Sequence, residues 1–358
     1  MINKNSKIYI AGHRGLVGSA ILKNLKDKGY TNLIGRSHSE LDLLDNGAVS
    51  RFFEEVKPDI VFLAAAHVGG IIANNVYRAD FIYKNLQIQN NVIGESFKHG
   101  VKKLLFLGST CIYPKEAPQP MAEDALMTGP LEYTNEPYAI AKIAGLKMCE
   151  SFNIQYGTNF IAVMPTNLYG PNDNFDLEKS HVLPAIIRKI HLSKALMEGD
   201  WDTIRRDFNA RPVEQISGTN TKEEITAVLN KYGISENRLT LWGTGTPMRE
   251  FLWSEEMADA CVFIMEQIDF SDLTKNKKEI RNCHINIGSG EEISIRNLAY
   301  LIKERVKYGG YIEFDSSKPD GTMRKLTDVS KLNALGWKHS TGVIDGVKML
   351  YEWYLYNL

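Results

Sequence analysis

The first 165 residues alternate short runs of β-forming apolar residues with longer segments whose apolar positions recur at helical spacing. Strands are predicted over 7–11, 32–34, 60–64, 103–107 and 159–164, and helices over 17–28, 46–55, 79–99 and 137–156. Apolar strands separated by helices mark a parallel sheet covered on both faces, because a strand buried on both sides has no solvated face to make polar. Residues 1–170 therefore read as a doubly wound, Rossmann-type α/β domain.

After Gly170 the rhythm breaks. Residues 171–174 are loop-like, a helix is predicted over 182–196, and 199–238 is a polar, charge-mixed stretch with the look of an insertion. Within it 222–231 has helical spacing, whereas 208–220 has little periodicity and reads as loop. Regular pattern returns at 239–242, 257–268, 284–287 and 295–308, which predicts a smaller C-terminal α/β lobe within 171–358, the chain being free to cross back between the two.

Composition narrows the function. Forty-two basic against 43 acidic residues give a net charge of −1, so no global field recruits nucleic acid or an anionic membrane. No run approaches 18 apolar residues, so no membrane-spanning segment is expected, and residues 1–7 lack a signal-peptide pattern; a cytoplasmic protein is the expectation. Cys111, Cys149, Cys261 and Cys283 lie far apart without metal-ligand spacing, so neither a disulfide framework nor a metal site is expected.

Directly after the first strand stands Gly12-His-Arg-Gly15-Leu-Val-Gly18, a turn that opens a helix. Gly12 suits the sharp turn, Gly15 lets a pyrophosphate approach the backbone, and Gly18 lets helix and strand pack closely, while the helix N-terminus offers unpaired N–H groups to phosphate. An NAD site carries Asp or Glu at the end of the second strand for the ribose hydroxyls. Here Arg36 stands there, and with Arg14 it suits a 2′-phosphate, so NADP(H) is the expected cofactor.

The fourth strand leads into Gly108-Ser109-Thr-Cys-Ile-Tyr113, and Tyr138-Ala-Ile-Ala-Lys142 follows. The i, i+4 spacing puts Tyr138 and Lys142 on one helix face. A free phenol, with pKa about 10, needs a nearby ammonium to work as an acid–base group at neutral pH, and Lys142 supplies one. Ser109 would hold a carbonyl oxygen that Tyr138 protonates as hydride arrives at carbon.

These residues resemble the GDP-L-fucose synthase family of extended short-chain dehydrogenase/reductases. The resemblance rests on Gly12-His-Arg-Gly15, Ala64-Ala-Ala-His-Val-Gly-Gly70, Gly108-Ser-Thr-Cys-Ile-Tyr-Pro114, Asn135-Glu-Pro-Tyr-Ala-Ile-Ala-Lys142, Met164-Pro-Thr-Asn-Leu-Tyr-Gly-Pro171, Trp242-Gly-Thr-Gly-Thr-Pro-Met-Arg-Glu-Phe251 and Lys318-Pro-Asp-Gly321. It covers almost the whole chain apart from 199–238.

The resemblance implies 3,5-epimerisation of a GDP-4-keto-6-deoxymannose and reduction of its 4-keto group by NADPH. Cys111 and His181 take the positions of the epimerisation acid and base. Leu16, Val17, Ala65, Leu107, Lys142, Pro165, Asn167 and Leu168 fall on the cofactor side with the glycine turn. Asn167, Lys189, Trp242, Arg249 and Asp320 fall on the GDP-sugar side, and the superfamily implies a homodimer pairing the helices at 79–99 and 137–156. Related dehydratases carry an Asp-Glu pair where Cys111-Ile112 stands, and simple 4-epimerases keep an acidic ribose ligand, which Arg36 is not. The chain departs from the family pattern at Lys189, commonly arginine, at Thr110, commonly serine, and in the insertion. Two other readings are a reductase-only enzyme acting on a related GDP-4-keto sugar such as a heptose, and a non-catalytic NADPH sensor. The intact Ser109, Tyr138 and Lys142 oppose the sensor.

Overall fold

The computed structural model describes residues 2–275 and 277–358. It holds a six-stranded parallel sheet in the spatial order Leu33–Ile34, Ile8–Ala11, Ile60–Leu63, Lys103–Leu107, Phe160–Pro165, Ile285–Ile287. Alternation along each strand sends side chains to two separate cores. Ile8, Ile10, Phe62, Leu105 and Ile161 pack on one face with Ile21 and Leu25 of the helix Leu16–Asp27 and with the helix Ser254–Gln267. Tyr9, Ala11, Val61, Leu104 and Phe106 pack on the other with Phe53, Val92 and Leu146 from the helices Asn46–Val56, Arg78–Lys98 and Glu136–Tyr156. The doubly wound α/β class expected from the pattern is thus present.

The chain forms two compact units. The first comprises residues up to Leu168 together with Glu250–Glu291 and Leu326–Ser340; the second comprises Tyr169–Arg249, Glu292–Lys325 and Thr341–Leu358. Ile285–Ile287 and the helix Ser254–Gln267 therefore belong with the main sheet, not with the lobe in which the pattern placed 257–268 and 284–287. A three-residue run of Ile-Asn-Ile, buried on both faces, carries no mark of which sheet it joins.

The second unit pairs strands Arg238–Trp242 and Tyr311–Asp315 in parallel, with the helices Val182–Met197, Ile295–Val306 and Val343–Tyr356 among its elements. The stretch 199–238 contains Lys222–Lys231, as its spacing predicts, closed by a capping box between Thr221 and Glu224. It also contains a helix the pattern does not reveal, Trp201–Ala210, which reaches into the segment read as loop. Asp200 caps that helix, accepting from the Thr203 N–H at 3.0 Å and hydroxyl at 2.6 Å. Its buried face is Ile204, Asp207 and Phe208, and a carboxylate on the core side breaks the apolar period that would announce a helix.

Candidate active site

The glycine turn lies where the strand order reverses, between the carboxyl ends of Ile8–Ala11 and Ile60–Leu63. Gly12 has φ +85°, and a Cβ on it would stand 2.8 Å from the Ala65 nitrogen; a Cβ on Gly18 would stand 2.1 Å from the Gly12 carbonyl oxygen. The turn is therefore pressed between the next loop and its own helix, and Gly15 at the helix N-cap makes no side-chain cap that could occupy the free N–H groups of Leu16, Val17 and Gly18. This cradle fits a dinucleotide pyrophosphate.

Arg14 and Arg36 are both exposed. The Arg36 guanidinium donates to the Gly35 carbonyl at 3.0 Å and lies 5.7 Å from the Phe52 ring centroid. Both arginines act on the same two neighbours: with partial burial as the first cause they help hold the His13 imidazole below its usual pKa, and they help Ser37 keep Glu40 ionised. Two cations converge beside the turn, where the sequence expects a 2′-phosphate.

Ser109, Cys111, Tyr138 and Lys142 come together in the first unit. Ser109 is extended and caps a short 3-10 turn over Thr110–Ile112, its hydroxyl accepting from the Cys111 N–H at 3.3 Å. Pro137 in the first turn of Glu136–Tyr156 starts the helix, and Tyr138 and Lys142 follow one turn apart. Lys142 is buried; its Nζ donates to the Leu107 carbonyl at 2.8 Å and stands 5.7 Å from the Tyr138 ring centroid. Burial pulls the Lys142 ammonium down to about 8 and pushes the Tyr138 phenol well up. The Cys111 thiol lies within electrostatic reach of both.

Three buried positions of the same unit are missing from the sequence expectations. Asn85, 2% exposed, grips the backbone of His67 from both sides, accepting from its N–H and donating to its carbonyl, each at 2.9 Å. Phe81 bridges that loop to Tyr138, 4.8 Å from the His67 ring and 6.3 Å from the Tyr138 ring. The fully buried Glu250 accepts from the N–H groups of Gly290 at 2.7 Å and Thr327 at 2.9 Å. Asn167 donates to the Glu250 carbonyl at 2.9 Å, just after Pro165 ends its strand, and Leu168 packs on the core beside it. A polar residue inside an apolar helical stripe, as at Asn85, is the signal that sequence reading can use; Glu250 offers none.

In the second unit Trp242, Arg249 and Asp320 cluster. Asp320 accepts from the Thr244 N–H at 2.7 Å and hydroxyl at 2.8 Å, and its charge acts on Arg249. The Trp242 ring is 59% exposed, with Lys318 Nζ 5.7 Å from its centroid. Exposed apolar ring, cations and a fixed carboxylate together suit a nucleotide. His181, exposed, is the N-cap residue of Val182–Met197 and its imidazole caps nothing. Lys189 lies two turns on, its ammonium drawn down to about 8 by burial and 6.0 Å from the Tyr232 ring of the insertion.

The NAD dependent epimerase/dehydratase family model matches residues 8–210 and 214–288. GDP-L-fucose synthase 1 of Arabidopsis thaliana is 50% identical over 100% of this chain and 96% of that one. The chain belongs to the GDP-L-fucose synthase family. Solved structures resemble this family member as closely: a GDP-6-OMe-4-keto-L-xylo-heptose reductase from C. jejuni is 48% identical with TM-score 0.94, covering 100% of this chain and 99% of that one. A GDP-D-glycero-L-gluco-heptose synthase from Campylobacter jejuni, solved in the presence of NADPH, is 47% identical with TM-score 0.92, covering 99% and 100%. The family resemblance carried by the motifs is borne out, and with it membership of an enzyme family. Among the described residues no helix is long and apolar enough to cross a membrane.

Proposed function

We propose that the protein is an NADP(H)-dependent enzyme that reduces the 4-keto group of a GDP-4-keto-6-deoxymannose-type sugar and epimerises it at carbons 3 and 5. The observation that carries this reading is the cluster of Ser109, Cys111, Tyr138 and Lys142, in which a thiol, not a carboxylate pair, stands beside the tyrosine. NADPH, when bound, supplies the hydride. The turn from Gly12 to Gly18 with Ala65 holds its pyrophosphate, Arg14 and Arg36 its 2′-phosphate, and Leu107, Lys142, Pro165, Asn167 and Leu168 the nicotinamide side.

Ser109 and Tyr138 donate hydrogen bonds to the ketone oxygen, and Tyr138 delivers a proton to it on reduction while the Lys142 ammonium steadies the phenolate that results. The same two donors stabilise the enolate formed when a proton leaves carbon 3 or 5. Cys111 and His181 serve as the base and acid for that exchange, since inversion requires a proton removed from one face and another returned to the opposite one. Trp242, Arg249 and Lys189 bind the GDP moiety with Asp320, whose carboxylate is committed to Thr244 and so shapes the loop beside the ring.

The reductase-only reading on a GDP-4-keto heptose is favoured by one finding, the similarity to the two heptose enzymes. Incubation with GDP-4-keto-6-deoxymannose and NADPH in deuterated water separates the two. Deuterium at carbons 3 and 5 with NADPH consumption supports the bifunctional enzyme; reduction without deuterium leaves a reductase; neither overturns the 6-deoxymannose reading and leaves the heptose reductase.

A cytoplasmic homodimer completes the reading. Tyr77 (58% exposed), Tyr83 (67%) and Ile140 (41%) present large apolar side chains on or beside the helices Arg78–Lys98 and Glu136–Tyr156. A monomer by light scattering at micromolar concentration removes the dimer.

A further inference from the structure

The insertion contributes one half of a buried ion pair. Arg188, on Val182–Met197, and Asp207, on the inserted helix Trp201–Ala210, are both 0% exposed. The Arg188 Nε and Nη2 stand 2.9 and 2.8 Å from Asp207 Oδ1, and Tyr354 donates to the other carboxylate oxygen. The remaining nitrogen of Arg188, Nη1, donates to the carbonyl of Phe175 at 3.1 Å. Arg211, also inserted, gives its carbonyl to Arg188 and lays its guanidinium 5.4 Å from the Phe175 ring. Phe175 is otherwise enclosed by Tyr354 and Trp353, 4.9 and 6.1 Å away.

From Phe175 the chain runs six residues to His181 with its turns closed by hydrogen bonds. Asn174 Oδ1 accepts from Asp176 N at 2.9 Å; Asp176 Oδ1 accepts from Glu178 N at 2.9 Å and Lys179 N at 2.8 Å; the Asp176 carbonyl accepts from Ser180 N at 3.2 Å. The inserted Tyr232, donating to Glu214 at 2.6 Å, feels the charges of Glu178 and Asp176, so the far end of the insertion lies beside the same loop.

We infer that the insertion works on the reaction through Asp207 and Arg188, which are positioning residues that hold the 174–181 segment and thereby set where His181 stands. A fully buried ion pair is a poor source of net stability, because desolvation offsets its attraction, but its fork geometry fixes what it touches. Here the fork spans the inserted helix and the loop that ends at His181. The functional half of the inference rests on the epimerase reading; the mechanical half does not.

The test uses the full chain in three variants: Asp207→Asn, the double Arg188→Met/Asp207→Leu, which leaves no uncompensated buried charge, and Arg211→Ala, which uncovers the Phe175 and Tyr354 rings and frees the Asn357 carbonyl but keeps the ion pair. Two readouts are taken: the His181 imidazole signal by NMR, and the ratio of deuterium uptake at carbons 3 and 5 to reduction of an already epimerised ketone. The His181 signal should move in all three, least in Arg211→Ala, and the exchange-to-reduction ratio should fall on the order of tenfold to a hundredfold, as for a misplaced catalytic group. An unmoved His181 signal overturns the inference, as does an exchange rate that falls only in parallel with reduction. If the unsubstituted protein reduces but never exchanges deuterium, the epimerase reading fails on its own, and the His181 signal still decides the positioning.

Discussion

Lys142 Nζ donates to the carbonyl of Leu107 at 2.8 Å, tying the first turns of the Glu136–Tyr156 helix to the end of the fourth strand. The bond fixes the ammonium beneath Tyr138 and buries it. Burial lowers its pKa to about 8, so the cation proposed to steady the Tyr138 phenolate is lost as pH rises through that value. In the reductive direction kcat/KM should therefore fall above about pH 8 with a single ionisation, since that parameter reports the free enzyme. A flat profile to pH 9.5 would contradict the role given to Lys142.

The same shift makes a stability prediction of opposite sense. The folded protein holds the Lys142 proton less tightly than the unfolded chain does, so the residue destabilises the fold fully below about pH 8 and progressively less as pH rises toward its ordinary 10.5. Lys142→Met should therefore gain stability relative to the parent at pH 7 over pH 10.5, by about 3 kcal/mol for a shift of two to three pKa units. Urea titrations at the two pH values measure it, and equal differences at both would show that Lys142 is not desolvated. The variant should at the same time lose reduction.

Arg36 and Arg14 bear on cofactor choice. Arg36→Ala removes the charge-assisted contact proposed for the 2′-phosphate and nothing from a 2′-hydroxyl, so NADPH should bind on the order of 1.5–3 kcal/mol more weakly while NADH barely changes. Titration of cofactor fluorescence with both nucleotides checks this, and equal losses would remove the 2′-phosphate assignment.

What was legible in the chain follows from where each function is written. The glycine turn and Arg36 lie in contiguous motifs set at strand ends, where the alternation of apolar runs already fixes their place, and Tyr138 and Lys142 are paired by their helical spacing. The sixth strand was not legible, because Ile285–Ile287 is too short to declare its sheet. The inserted helix Trp201–Ala210 leaves no helical pattern because Asp207 sits where an apolar residue would keep the period, its cost met by Arg188, nineteen residues earlier. Glu250 was hidden likewise, its partners Gly290 and Thr327 lying 40 and 77 residues away. Long-range polar pairing leaves no periodic trace.

Gly243 links the exposed Trp242 ring to Asp320. It has φ +80°, and a Cβ there would stand 2.3 Å from Asp320 Oδ1, so Gly243→Ala both strains the backbone and pushes away the carboxylate that Thr244 holds. KM for the GDP-sugar should rise about tenfold or more, with NADPH affinity unchanged, because the residues involved belong to the second unit. A variant with unaltered KM would take Asp320 and its loop out of nucleotide binding.

Cys111 allows the two halves of the proposed reaction to be separated. Reduction needs one proton for the ketone oxygen, which Tyr138 provides, whereas inversion at carbons 3 and 5 needs a base and an acid that Tyr138 alone cannot supply. Tyr138→Phe should therefore abolish NADPH oxidation with any ketone. Cys111→Ser keeps the hydrogen bond from its own N–H to Ser109, since that bond is made by backbone, and so should leave Ser109 in place. It should reduce an already epimerised 4-keto sugar within about threefold of the parent rate while deuterium uptake from solvent stops, a serine hydroxyl being far too weak an acid to exist as the oxyanion base at neutral pH. Loss of reduction as severe as in Tyr138→Phe would mean that the thiol belongs to the hydride-transfer step, through its proximity to Tyr138 and Lys142, and that the division of labour is wrong.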